Sequence, residues 1–284
     1  MGMRWTSGGR SDNLEDRRGE GGGMGGLPRL GLGGIVVLVV LSLIFKRDLL
    51  TPFLSSGGAG QPNPEATAEE NAAEEPEVQF VSFVLDDAQA TWTKILPTMG
   101  RQYQPAKLVL FRDAINSACG FAQAATGPFY CPLDQRVYID LGFYQELKTR
   151  FGAPGDFAQA YVLAHEIGHH VQELLGTGEQ VRRAQQAHPE RANELSVHLE
   201  LQADCYAGVW GNSTEQRQLL DPGDVEEGIK AAGAVGDDRI QRMSTGRVNP
   251  DGFTHGTSEQ RVAWFRRGYE SGRADACNTF ESSR

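Results

Sequence analysis

Apolar positions along the 284-residue chain change their spacing several times. From Phe80 to Pro97 they recur every three or four residues (Phe83, Val84, Ala88, Trp92, Ile95, Leu96), which is the spacing of one helix face. Two short apolar runs, Lys107–Arg112 and Arg136–Asp140, read as strands. Helical spacing returns over Asp156–Leu175, where Ala160, Leu163, Ala164, Ile167, Val171 and Leu174 form a stripe between Gly155-Asp156 and Gly176. Further helices are expected over Arg191–Trp210, stopped by Gly211-Asn212, and over Asp224–Arg242 and Ser258–Ser271. The pattern predicts one α+β domain over residues 80–284, mainly helical with a small β-sheet.

The N-terminal part follows different rules. Leu30 to Phe45 is an uncharged run centred on Ile35, Val36, Val37, Leu38, Val39, Val40 and Leu41. Sixteen helical residues span about 24 Å, and Lys46 and Arg47 can snorkel while Leu49 and Leu50 extend the helix. No A-x-A site follows, so residues 30–50 are expected to form a retained transmembrane signal anchor. Residues 1–29 mix glycine runs with Arg4, Arg10, Arg17, Arg18 and Arg29 and read as a flexible tail. Residues 51–79 carry six glutamates and no Lys or Arg, as a disordered acidic linker would. Positive-inside bias then predicts a single-pass inner-membrane protein with a cytoplasmic N-terminus and a periplasmic domain.

Composition narrows the partners. The net charge of −10 excludes a general nucleic-acid binder, which needs a cationic footprint. Four cysteines occur without a C-x-x-C, leaving disulfides or free thiols; all lie beyond the apolar run, as export to an oxidising compartment permits. Three pairings are possible. Cys119–Cys131 and Cys205–Cys277 are expected, the first closing a small loop and the second tying down the C-terminus.

The chemically informative string is His165-Glu166-Ile167-Gly168-His169. On a helix, positions i and i+4 share a face, so both imidazoles can offer nitrogen to one Zn²⁺ ion. Glu166 would then face water at that ion and act as general base. A metzincin needs Gly three and His six residues after the second histidine, but Gln172 and Leu175 stand there. A gluzincin-type ligand fits: Glu200 is followed four residues on by Asp204, so Glu200 can ligate while Asp204 accepts a ligand histidine's free N–H. His170 and His198 are rotated away from their neighbouring ligands. His255, in the turn-rich Asn249–Gly256 segment, and Arg261 are candidates to stabilise an oxyanion. Asp237 and Asp238 read as a surface charge pair on their helix. A rival reading keeps the same ligands for a structural ion in a binding or assembly module, with His255 or His170 as fourth ligand. A third places the function in a regulator acting through the Arg/Gly tail.

These strings together resemble the predicted neutral zinc metallopeptidases, a bacterial membrane-anchored family. The resemblance runs from Met3-Arg4-Trp5 and Gly8–Asn13 through Gly127–Pro132, Ala164–Val171 and Glu200–Cys205 to Phe253–Ser258. It implies a zincin-like fold, one zinc ion and a peptide or protein substrate. By wider analogy, the Thr254-His255-Gly256 segment with Arg261 is similar to a loop of integral-membrane gluzincins whose histidine and arginine assist the transition state.

Overall fold

The computed structural model describes residues 2–20, 64–123 and 127–280. In chain order its elements are β1 (Leu14–Asp16), α1 (Pro64–Ala73), α2 (Glu75–Ile95), β2 (Lys107–Phe111), β3 (Ala114–Ser117), β4 (Gly120–Gln123), β5 (Phe129–Cys131) and β6 (Arg136–Asp140). Then come the helices α3 (Gly142–Thr149), α4 (Asp156–Leu175), α5 (Thr177–Ala187), α6 (Ala192–Gln216), α7 (Asp224–Ala234), α8 (Asp237–Thr245) and α9 (Ser258–Ser271). The architecture is mainly helical α+β.

Helix α4 runs through the centre of the core. Its apolar stripe is buried on all sides: Phe157, Ala160, Leu163, Ala164, Ile167 and Val171 are almost wholly covered, together with Val81, Leu85 and Trp92 of α2 and Tyr206 and Trp210 of α6. Phe157 stacks on Trp210 and Trp92 meets Tyr206 edge-on, at centroid distances of 5.7 and 5.1 Å. Each such side chain contributes on the order of 1.5–3 kcal/mol by leaving water. Gly176 ends α4 at φ 81°, and its N–H bonds to the Gln172 and Glu173 carbonyls. That left-handed turn costs glycine nothing and any side chain about 1–2 kcal/mol.

The four-stranded sheet has the order β1-β2-β6-β5, with β1, β2 and β6 parallel and β5 antiparallel at the edge. Strands β3 and β4 form a separate hairpin. Disulfides join Cys119 to Cys131 and Cys205 to Cys277.

The structure differs from the sequence reading in several places. Helix α6 runs through Gly211 to Gln216, because Gly211 packs beneath Tyr269, Phe157 and Phe265 and no longer acts as a stop. The expected helix over 224–242 breaks at Val235-Gly236, where the chain turns extended before α8. Residues 2–20, expected as tail, pack on the domain: Met3 and Arg18 are buried, and β1 pairs with β2 in register Glu15 to Val109. Residues 64–79, expected as linker, are largely helical.

The transmembrane anchor and the inner-membrane, periplasmic placement built on it are corrected. Among the described residues no helix is long and apolar enough to cross a membrane. The run from Leu30 to Phe45 itself lies outside the described residues. The packing supplies a physical reason. Residues 2–20 and the domain from residue 64 onward share one sheet, whereas a single crossing between them would put strand partners on opposite sides of a bilayer.

Candidate metal centre

Helices α4 and α6 bring the expected ligands together. A Cβ at Gly168 would stand 2.9 Å from the Ala203 carbonyl oxygen and 3.1 Å from its Cα, so only glycine admits α6 this closely. One turn before Ala203, Glu200 lies opposite both histidines. Its Oε2 is 3.2 Å from His165 Nε2 and its Oε1 is 3.4 Å from His169 Nε2. One ligand atom from each of the three lies within 4.8 Å of the others. Two imidazole nitrogens and a carboxylate form the donor set of a catalytic zinc site. No fourth His, Cys, Asp or Glu joins them among the described residues.

The outer nitrogens of both imidazoles are already engaged. His165 Nδ1 donates to Asp204 Oδ1 at 2.8 Å, and His169 Nδ1 donates to Gln172 Oε1 at 2.9 Å. In its neutral form each ring would then turn the Nε2 lone pair toward Glu200, the arrangement that a metal ligand requires. The donor set and its tautomers fit a zinc ion.

Asp204 is fully buried and surrounded by donors. Tyr161 gives it a hydroxyl bond of 2.5 Å, while Arg261 Nε and Nη2 clamp its two oxygens at 2.8 and 2.9 Å. Arg261 Nη1 also donates to the Val235 carbonyl. Burial opposes the Asp204 charge, but Arg261 and His165 outweigh it and hold the carboxyl below its ordinary value. Burial also works against a charged His165, yet Asp204 and Glu200 push it up to about 10. Glu166, buried beside the histidines, is raised by desolvation and partly restored by His169 and His165.

The cleft above these groups has a volume of about 620 Å³. Glu166, the three candidate ligands, His255 and Arg261 line it, together with Tyr130 of edge strand β5 and Phe143 of α3. His255 stands on a built loop. Asp237 Oδ2 accepts the backbone N–H groups of Thr254, His255 and Gly256, and its Oδ1 accepts His255 Nδ1 at 3.1 Å. The hydrogen bond to Asp237 raises the imidazole against the pull of burial. A capping box between Thr257 and Gln260 then starts α9 and sets Arg261 one residue into the next turn.

Other expected residues lie elsewhere. His170 is buried with Nε2 on the Gln104 carbonyl and Nδ1 accepting from Tyr130, so both its nitrogens point away from the trio. Arg261 lines the cleft, but its guanidinium is spent on Asp204. Asp237, expected on the surface, is the anchor of the His255 loop, and Asp238 binds the backbone and hydroxyl of Ser258. Sequence reasoning missed Tyr161 and Gln172. Their positions, four residues before His165 and three after His169, place them on the ligand face, and that offset was the available signal.

The chain is similar to known proteins over nearly its whole length. The family model described as "Putative neutral zinc metallopeptidase" matches residues 3–280. The chain is 48% identical to the uncharacterized protein YpfJ of Escherichia coli (strain K12), over 99% of this chain and all of that protein. It is 44% identical to the uncharacterized protein Rv2575 of Mycobacterium tuberculosis (strain ATCC 25618 / H37Rv), over 70% of this chain and 69% of that one. No solved structure matches. From Met3 to Phe280, the chain belongs to the neutral zinc metallopeptidase family.

Proposed function

We propose that this protein hydrolyses peptide bonds with one zinc ion held by His165, His169 and Glu200 and with Glu166 as general base. The observation that carries the reading is the open donor set. Three protein ligands converge at the floor of a cleft that also holds a buried carboxylate, and among the described residues no fourth donor closes the site. A structural ion would need that fourth ligand, and His170 is committed elsewhere.

Zinc, when bound, would polarise the scissile carbonyl and make water a better nucleophile near neutral pH. The remaining work falls to side chains. Glu166, its carboxyl raised by burial, takes the proton of the attacking water and delivers it to the leaving nitrogen. His255, held by Asp237, donates to the carbonyl oxygen as negative charge develops there. Asp204 fixes the orientation of His165, and Arg261 compensates the buried Asp204 charge; Arg261 acts here as a positioning residue. An extended substrate peptide can lie along the edge of β5, where main-chain hydrogen bonds supply affinity.

The test is Glu166→Gln. Zinc content measured on the purified protein should match the parent while cleavage of a peptide library is lost. Retained cleavage would refute the general-base assignment.

A further inference from the structure

His165 is oriented by a charged carboxylate, whereas His169 is oriented by a neutral amide. Gln172, 1% exposed, bridges the two ligand-bearing helices. Its Oε1 accepts His169 Nδ1 at 2.9 Å, and its Nε2 donates to the Leu199 carbonyl at 2.7 Å and to Gln202 Oε1 at 3.1 Å. Gln202, also buried, donates in turn to the Cys277 carbonyl at 3.0 Å. Backbone carbonyls only accept, so both ends of this chain have one allowed polarity. The Cys277 and Leu199 carbonyls demand N–H groups from Gln202 and Gln172. Gln172 must then turn its oxygen to His169, which places a proton on Nδ1 and makes Nε2 the nitrogen available to a metal. Cys277 is itself fastened to α6 by its bond to Cys205.

We propose that Gln172 is a positioning residue that sets the tautomer and angle of His169, and that Gln202 and the disulfide-anchored Cys277 carbonyl hold it in that polarity. The inference rests on His169 being a zinc ligand. Its consequence is that zinc affinity depends on an amide relay reaching from the C-terminal segment to the metal centre.

The test compares Gln172→Met and Gln172→Glu by zinc competition against a chromophoric chelator, by the visible spectrum of the Co²⁺-loaded protein, and by melting of the metal-free protein. Gln172→Met removes the acceptor and should weaken zinc about 10- to 100-fold, with shifted Co²⁺ bands. Gln172→Glu keeps an acceptor for Nδ1 but sets a buried carboxylate against two oxygens. It should melt at a lower temperature than Gln172→Met yet bind zinc within a few-fold of the parent. Affinity and stability thus run in opposite orders. A purely structural role would make them run together, and that result, or parent-like zinc binding by Gln172→Met, overturns the proposal. Gln202→Met leaves Gln172 its Leu199 anchor and should cost only a few-fold in affinity; a parent-like affinity and Co²⁺ spectrum there overturns the link to Cys277. His169→Ala separates the two levels, because undiminished zinc binding by that variant would refute the ligand assignment itself.

Discussion

Arg261 and Arg18 use the same fork. Each presents Nε and Nη2 to the two oxygens of an aspartate, Asp204 at 2.8 and 2.9 Å and Asp16 at 2.9 and 2.7 Å, and each guanidinium is buried. They differ in what lies behind the carboxylate. Asp204 is wholly enclosed and also accepts from His165 and Tyr161, so the clamp of Arg261 reaches an imidazole of the candidate metal centre. Asp16 keeps some solvent exposure and, among the described residues, accepts further from Arg10 and the Arg18 backbone. With Glu74 as its other partner, Arg18 fastens the N-terminal segment to α2 and the sheet. An ion-pair geometry therefore does not disclose its role; the third group in contact does.

Several measurements can break or sharpen that contrast. If the proposed peptidase reading holds, the largest effect is expected for Glu166→Gln, with peptide cleavage falling about 10²- to 10⁴-fold, while Arg18→Met should leave cleavage by the folded protein unchanged. Next, Arg261→Met strands a buried carboxylate and should cost about 3–5 kcal/mol in denaturant unfolding. Arg18→Met should cost nearer about 2 kcal/mol, because Asp16 and Glu74 can regain water; equal losses would erase the distinction. Asp204→Asn should weaken zinc about 10- to 100-fold in chelator competition, whereas Asp16→Asn should leave zinc affinity untouched.

The smallest effect concerns Glu77, near Arg18 and Glu74. Burial, with help from Glu74, pushes its carboxyl up from 4.5 to about 7. The folded state therefore holds this proton more tightly than the unfolded chain does. Its ionisation costs stability that is absent below about pH 4.5, grows as pH rises, and is complete above about pH 7. Glu77→Gln should stabilise the protein at pH 8 by on the order of 1 kcal/mol after solvent screening, and the two melting curves should converge near pH 4.

The long periodic elements were legible in advance because burial on one helix face leaves a repeat that sequence displays. Helix α4 starts at Asp156 and ends at Leu175, the expected bounds, and α9 likewise coincides with its run. Short elements carry no such repeat. Three residues of β1 pair with β2 only because the N-terminal segment returns to the sheet, which local composition does not encode. Gly211 has the chemistry of a helix stop, and packing against Phe157 and Tyr269 reverses that preference. The anchor expected from the apolar run was an inference about one segment; the sheet joining its two flanks is a fact about distant ones.

At the candidate site the division is similar. Sequence spacing alone put His165 and His169 on one face, with Glu166 between them and Asp204 one turn beyond Glu200, because helical geometry makes i and i+4 neighbours whatever the rest of the chain does. Which side chains finish the site was decided only by tertiary packing: Gly168 against Ala203, Arg261 turned onto Asp204, Asp237 beneath the His255 loop, and Gln172 between two helices. Those contacts join residues tens of positions apart, and their energy depends on burial and on donor–acceptor polarity that exist only once the helices have met.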